Sequence, residues 1–301
     1  MDTIIIVVKQ TIVMFLIMGL GYVLFKTKKI TKAGSRDMAS LLVNVIIPVV
    51  IFNSFITEYS KKKTTELLVC TGLALMVLGI SVLLSGFIFK KSPIDNFATS
   101  FSNPGFFGIP LTLAALGSSA VFYITPFIAA INIMQVTYGV GLLTNGKKTE
   151  WKKIIINPII ISVLLGTAIF LLRIQVPEII RMPLNYLGAL NTPIAMLVMG
   201  VYLAQADIKT MFNSKQLYCT CLVRLFFIPL LTLGSLMVIP ASNEIRLAFL
   251  IVSACPVGAN VAVYAQLNDA DYPYAVKTVV LSTLLCIASL PVLLMIAEAL
   301  F

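Results

Sequence analysis

The chain alternates between long apolar runs and short polar breaks, and it does so ten times over. Runs of about 18 or more predominantly apolar residues are candidates for membrane-crossing helices. They cover roughly 4–25, 38–57, 66–89, 95–117, 119–144, 154–172, 186–206, 212–238, 245–266 and 273–300. The breaks between them are short, so neighbouring helices are expected to run antiparallel. No polar block is long enough for a soluble domain, and 1–301 reads as a single all-α integral membrane domain. The first run, Ile4 to Phe25, lacks a positive leading region and a small-residue cleavage site, so it is expected to persist as a helix.

Two of these runs are interrupted. Residues 102–112 read SNPGFFGIPLT, in which Pro104 and Pro110 each remove a backbone donor and Gly105 and Gly108 lower helix preference. Hydrocarbon offers nothing to pair with the freed groups, each of which costs several kcal/mol if left alone. A proline kink satisfied by neighbouring helices is the plain structural reading. The interruption recurs, however, in SACPVGANV at 253–261, with Pro256, Gly258 and Asn260. A second pair of spans also corresponds: LLVNVIIPVVIFNSF at 41–55 and LNTPIAMLVMGVYL at 190–203 each place an Asn before a Pro (Asn44/Pro48, Asn191/Pro193). Members of each pair lie five spans apart, and an odd number of crossings inverts the second half. Ten transmembrane helices in two inverted repeats of five, about 1–145 and 153–301, are therefore expected. Matched interruptions mark the binding site of many carriers, because half-helix N-termini attract anions and freed carbonyls attract cations.

Composition narrows the class. The chain is 59% hydrophobic and 11% charged, with mean hydropathy +1.01, where a soluble domain carries about 25% charged residues. A net charge of +10 would suit nucleic acid, but the basic residues fall in short clusters between spans, as membrane topology requires. The loops after spans 1, 3, 5 and 7 hold thirteen of them (Lys26, Lys28, Lys29, Lys32, Arg36, Lys90, Lys91, Lys147, Lys148, Lys152, Lys153, Lys209, Lys215). The other face holds seven (Lys9, Lys61, Lys62, Lys63, Arg173, Arg181, Arg246). The positive-inside bias places the first set in the cytoplasm and both termini outside, although the Lys61–Lys63 run argues the other way. There is no histidine for acid–base work, and the carboxylates fall mostly at helix ends, which speaks against an enzyme. The five cysteines lie in apolar surroundings and suggest neither disulfides nor a metal site. No nucleic-acid partner and no cofactor are expected.

Asn103-Pro-Gly-Phe-Phe-Gly108-Ile-Pro110-Leu111 resembles the fourth-helix signature N-x-x-x-x-G-x-P-L of the auxin efflux carrier family, which includes the plant PIN-formed carriers and bacterial malate-permease-like proteins. Leu41 to Phe55 with Pro48, Ala254 to Gly258 with Ala265 and Asn268, and Ser282 to Leu294 with Pro291 are similar to that family's second helix and C-terminal end. The resemblance implies a fold related to bile acid:sodium symporters. In that fold, helices 1, 2, 6 and 7 form a scaffold. Helices 3–5 and 8–10 form a transport unit, with broken helices 4 and 9 crossing at the membrane midplane. It also implies that Asn103 and Pro110 stand beside substrate and crossover. Span 9 departs from the plant pattern, reading Val261 after Asn260 where those carriers have a second proline. The short link from Thr144 to Ile154 matches the minimal bacterial form.

The candidate substrate-binding residues are Asn103, Pro104, Gly105, Pro110, Asn132, Gln135, Arg224, Pro256, Asn260 and Lys277. Asn103 and Asn260 can meet a carboxylate or cap orphaned backbone. Asn132 and Gln135, three apart on one helical face with Tyr138 on the same stripe, either line a cavity or join helices. Arg224, inside span 8, either attracts an anion, forms a buried ion pair or snorkels. Lys277 could supply positive charge to a substrate or form a salt bridge with Asp269 or Asp271. The expectation is a plasma-membrane carrier for a small organic anion, malate-like or auxin-like, with elevator-type exchange of access. Uniport is the first expectation. Sodium or proton coupling is the alternative, with Na+ as the coupling ion in the sodium case, and a saturation test would separate either from an anion channel. A homodimer would suit such a mechanism, although no interface is legible.

Overall fold

Every apolar run forms helix in the computed structural model, which describes residues 2–144 and 151–301 and places no strand among them. The helices are α1 (Asp2–Lys26), α2 (Lys32–Ser54), α3 (Lys61–Ile88), α4a (Pro93–Ser100), α4b (Pro104–Leu116), α5 (Ser118–Leu143), α6 (Pro158–Leu171), α7 (Glu178–Gln205), α8 (Lys215–Val238), α9a (Asn243–Ala254), α9b (Asn260–Leu267) and α10 (Tyr272–Leu300). Two single-turn helices, Trp151–Ile155 and Ile208–Phe212, precede α6 and α8. Lys147 and Lys148 lie outside the described residues.

Helix starts follow local chemistry, because an N-cap oxygen satisfies one of the orphan N–H groups of the first turn. Thr31, Ser60, Asn157, Ser214, Ser242 and Asp271 each accept a bond from the backbone two or three residues on. Asp207 behaves likewise at the head of Ile208–Phe212, accepting from Thr210 N. A carboxylate is favoured there because a helix N-terminus carries partial positive charge.

Prolines explain most of the local irregularity. Pro48, Pro110 and Pro229 each lie two residues beyond a π turn, at Leu42–Ile46, Pro104–Gly108 and Val223–Phe227. A proline ring clashes with the carbonyl four residues back. That carbonyl belongs to Asn44, Phe106 or Leu225, inside the widened turn, so the extra residue of the π turn absorbs the clash.

Among the described residues seven helices are long and apolar enough to cross a membrane, and α4b and α6 are shorter apolar helices. Large apolar side chains such as Leu75, Leu83 and Phe87 on α3, Leu164 on α6 and Ile179 on α7 point outward. An exposed apolar surface of this extent belongs in lipid, and the chain is an integral membrane protein. α1 and α7 lie close enough to require glycine on both. A Cβ on Gly200 would stand 2.1 Å from the Met18 carbonyl oxygen, and one on Gly21 would stand 2.4 Å from that of Leu197. Backbone cannot yield as a side-chain tip can. Gly200→Leu should therefore lower the unfolding temperature of the detergent-purified protein by about 5 °C or more, at the upper end of overpacking costs.

Candidate functional site

The two interruptions meet. Between α4a and α4b, Phe101–Asn103 leave the helical path. Between α9a and α9b, Cys255–Ala259 do the same. Ser102 and Val257 pair as an antiparallel bridge. Asn103 N donates to the Pro256 carbonyl at 2.9 Å, and Gly258 N donates to the Phe101 carbonyl at 2.9 Å. From α10, Ser282 Oγ accepts from Val257 N at 3.0 Å. Backbone that would otherwise be orphaned in an apolar interior is thus satisfied largely by the other break. The fit is close: a Cβ on Gly258 would stand 2.9 Å from the Ser102 carbonyl oxygen.

Asn103 sits at the head of α4b and is 5% exposed. Its Oδ1 accepts from Phe106 N at 3.2 Å, which caps the restarted helix. Its Nδ2 is buried and has no hydrogen-bond partner. One side-chain atom thus caps the restarted helix, and the other is left with unused donors. Across the crossing, Asn260 Nδ2 donates to Gln135 Oε1 at 2.7 Å, and Asn132 Nδ2 donates to the Ile128 carbonyl at 2.8 Å.

These groups surround a hollow of about 30 Å³, lined by Asn103, Pro104, Gly105, Asn132, Gln135 and Asn260 among others. That is room for roughly one water. It shares Val43, Phe106, Asn132, Ala259 and Asn260 with a cavity of about 730 Å³ bounded by α2, α6, α7 and α9b. Lys32 and Arg36 line that cavity together with Asn44, Asn157, Tyr202, Gln205 and Tyr272, and among the described residues no carboxylate does. A third cavity, about 470 Å³, lies at the other end of α2 and α7. It carries Lys63 and Arg181, again without a carboxylate among the described residues. A cleft with charge of one sign and low-dielectric walls concentrates ions of the other sign, here anions.

Six of the ten expected residues come together at the hollow: Asn103, Pro104, Gly105, Asn132, Gln135 and Asn260. Pro256 lends its carbonyl to the crossing, and Pro110 is buried one turn into α4b. Arg224 and Lys277 line none of the three cavities. Arg224 is 1% exposed on α8, with Nη1 donating to the Thr99 carbonyl at 2.9 Å and Nη2 to the Ser253 carbonyl. Lys277 lies half-buried on α10.

Two polar features escaped the sequence reading. Asn191, 1% exposed on α7, reaches the Gly105 carbonyl at 3.5 Å and so links α7 to the head of α4b. Asp95, 3% exposed on α4a, is a buried carboxylate held by Thr220 Oγ1 and Tyr274 Oη, both at 2.8 Å, and by Gln216 Nε2 at 3.0 Å. Its partners lie 121 to 179 residues away in the chain, so no local pattern announces them. Truncating it would leave Tyr274 Oη and Gln216 Nε2 without that acceptor and Thr220 Oγ1 with only the Gln216 carbonyl. Asp95→Ala should therefore destabilise the protein by about 3 kcal/mol or more, read as a lower unfolding temperature, with Asp95→Asn losing less.

A helical membrane protein whose broken helices enclose a polar hollow has the build of a carrier. The model of the membrane transport protein family matches residues 6–150 and 143–294, so the chain belongs to that family, in agreement with the resemblance carried by the fourth-helix motif. It is a membrane transporter and not an enzyme. A protein of Rhizobium meliloti (strain 1021) named "Putative malonate transporter" is 23% identical over 230 residues, covering 73% of this chain and 71% of that protein.

Proposed function

We propose that this protein carries a small organic anion bearing a carboxylate, and that the anion binds where the two broken helices cross. One observation carries the reading. Asn103 holds a buried, unpartnered amide at the crossing, beside the N-terminus of α4b, and that hollow adjoins a cavity lined by Lys32 and Arg36 and, among the described residues, by no carboxylate. An anion would supply the acceptor that Asn103 lacks and would sit at the favourable end of a helix dipole. The relative's name makes malonate the first acid to try.

The same reading gives ten membrane crossings in two inverted repeats, about 1–145 and 153–301. α1, α2, α6 and α7 serve as scaffold, and α3–α5 with α8–α10 as the moving unit. Its support is the packing. α1 lies on α7, and α2 on α6 and α7, whereas α3 packs on α4a and α5, and α10 packs on α8, α9a and α9b. The three cavities fall along the seam between these groups. With loops placed by the positive-inside rule in the cell membrane, both termini are outside and the larger cavity opens to the cytoplasm. The small hollow and large inner cavity suit an inward-facing state, and the cavity with Lys63 and Arg181 marks where the site is exposed after the moving unit shifts.

Uniport is the primary mechanism. Proton coupling is a second reading, favoured by the buried Asp95 carboxylate. Purified protein in liposomes, given concentration jumps of malonate, malate and indole acetate with and without sodium and at two pH values, decides among them. A saturable current for one acid, indifferent to sodium and pH, supports the anion uniporter. A current that needs a proton gradient moves the assignment to the symporter, and silence across the panel overturns the anion reading.

A further inference from the structure

Arg224 is the largest fully buried side chain among the described residues, and its partners are unusual. No carboxylate pairs with it among the described residues, and its guanidinium bonds to backbone carbonyls instead. Those two carbonyls belong to Thr99, in the last turn of α4a, and Ser253, in the last turn of α9a. Both half-helices end at the crossing, and the last carbonyls of any helix lack intrahelical partners. The remaining carbonyls there are largely provided for. Phe97 O accepts from Phe101 N, Phe101 O from Gly258 N, Pro256 O from Asn103 N, Ile251 O from the Cys255 thiol and Ala254 O from the Cys286 thiol. Arg224 fills the gap between the two ends.

Each helix C-terminus carries the equivalent of roughly half a negative charge. Two of them converging in an apolar interior amount to about one, which a single guanidinium balances. The planar fork of arginine suits two carbonyls on separate helices better than a point charge on a stem would. An anion-attracting role fits the geometry less well, because Nη1 and Nη2 each donate to a carbonyl and the side chain, whose Nε has no hydrogen-bond partner, lines none of the three cavities. Carbonyls at broken-helix C-termini are also the kind of group with which cation-driven carriers hold their coupling ion.

We propose that Arg224 is a tethered cation occupying a monovalent-cation site at the crossing: its guanidinium substitutes for a soluble coupling ion, and removing it uncovers a site for one at the same carbonyls. The inference rests on the carrier reading above and deepens it, by specifying why such a carrier works without sodium. A second cation has no place there, since the carbonyls are taken and the local charge is already balanced.

The test is thermal unfolding of the purified full-length protein in sodium, potassium and choline chloride at fixed ionic strength, for the wild type, Arg224→Lys and Arg224→Ala. The wild type should unfold within about 1 °C of the same temperature in all three salts, and Arg224→Ala several degrees lower. Sodium or millimolar methylguanidinium should restore at least half of that loss saturably, with Arg224→Lys falling between the wild type and Arg224→Ala. Saturable stabilisation of the wild type by sodium over choline would overturn the proposal, as would an Arg224→Ala protein indifferent to every cation offered. If Arg224→Ala does not yield folded protein, Arg224→Gln is judged by the same criteria, and the wild-type arm stands on its own. The readout does not depend on transport. Failure of the acid panel would remove the substrate assignment and leave this result untouched. Acid currents that strictly require sodium would remove the tethered cation and leave the anion assignment standing.

Discussion

Asn103→Asp should abolish transport while leaving the fold in place. Asp caps a helix about as well as Asn does, so the bond from Phe106 N to the side-chain oxygen survives. What disappears is the amide donor that now has no partner, and a carboxylate takes its place opposite an anionic substrate. Hydrogen bonds to a charged group are worth about 1.5–3 kcal/mol, or roughly 10- to 150-fold in rate or affinity. Repulsion adds to that, and a loss of at least about 100-fold is the expected result. Uptake into proteoliposomes measures it, with the unfolding temperature as control. An unfolding temperature near that of the wild type together with uptake within a few-fold of it would remove Asn103 from the binding site.

The second large effect is expected at Gly258. A methyl group there would stand 2.9 Å from the Ser102 carbonyl oxygen, 3.3 Å from that of Phe101 and 3.5 Å from Gln135 Nε2. Two of these neighbours are backbone atoms of the opposing break, so the crossing itself must part to admit it. Gly258→Val should then lose the bond from Gly258 N to the Phe101 carbonyl, lower the unfolding temperature by about 5 °C or more and cut transport at least tenfold. Gly79→Ala on α3 is the matched control, because a Cβ there meets nothing within 4 Å. With better helix propensity and no clash, that variant should be neutral or slightly more stable. Equal behaviour of the two variants would mean that the close approach at the crossing does not matter.

The sequence disclosed those parts of the structure that rest on local rules. Pro104, Gly105 and Pro256 announced the breaks because they disable the backbone at known positions. Matching breaks in spans five apart also allowed Asn103 and Asn260 to be named together as site candidates, and both line the hollow. What stayed hidden depends on partners that carry no signature. Arg224 was visible as an intramembrane charge, but it bonds to carbonyls, and every residue has a carbonyl. Asp95 stood beyond Lys90 and Lys91 and read as an ordinary helix-start acid, whereas helices 4, 8 and 10 together bury it. Asn191 was read as half of a repeat motif, and only the packing of α7 against α4b brings it to the Gly105 carbonyl. The π turns were equally silent, although each proline two residues beyond one supplies the cause.

Equilibrium binding of radiolabelled malonate to the purified wild-type protein and to Asn103→Asp, side by side, tests most directly that a carboxylate meets the crossing. The account predicts saturable binding to the wild type, competed by other small carboxylates, and none to Asn103→Asp. Equal saturable binding to both proteins, with both still folded, would contradict it.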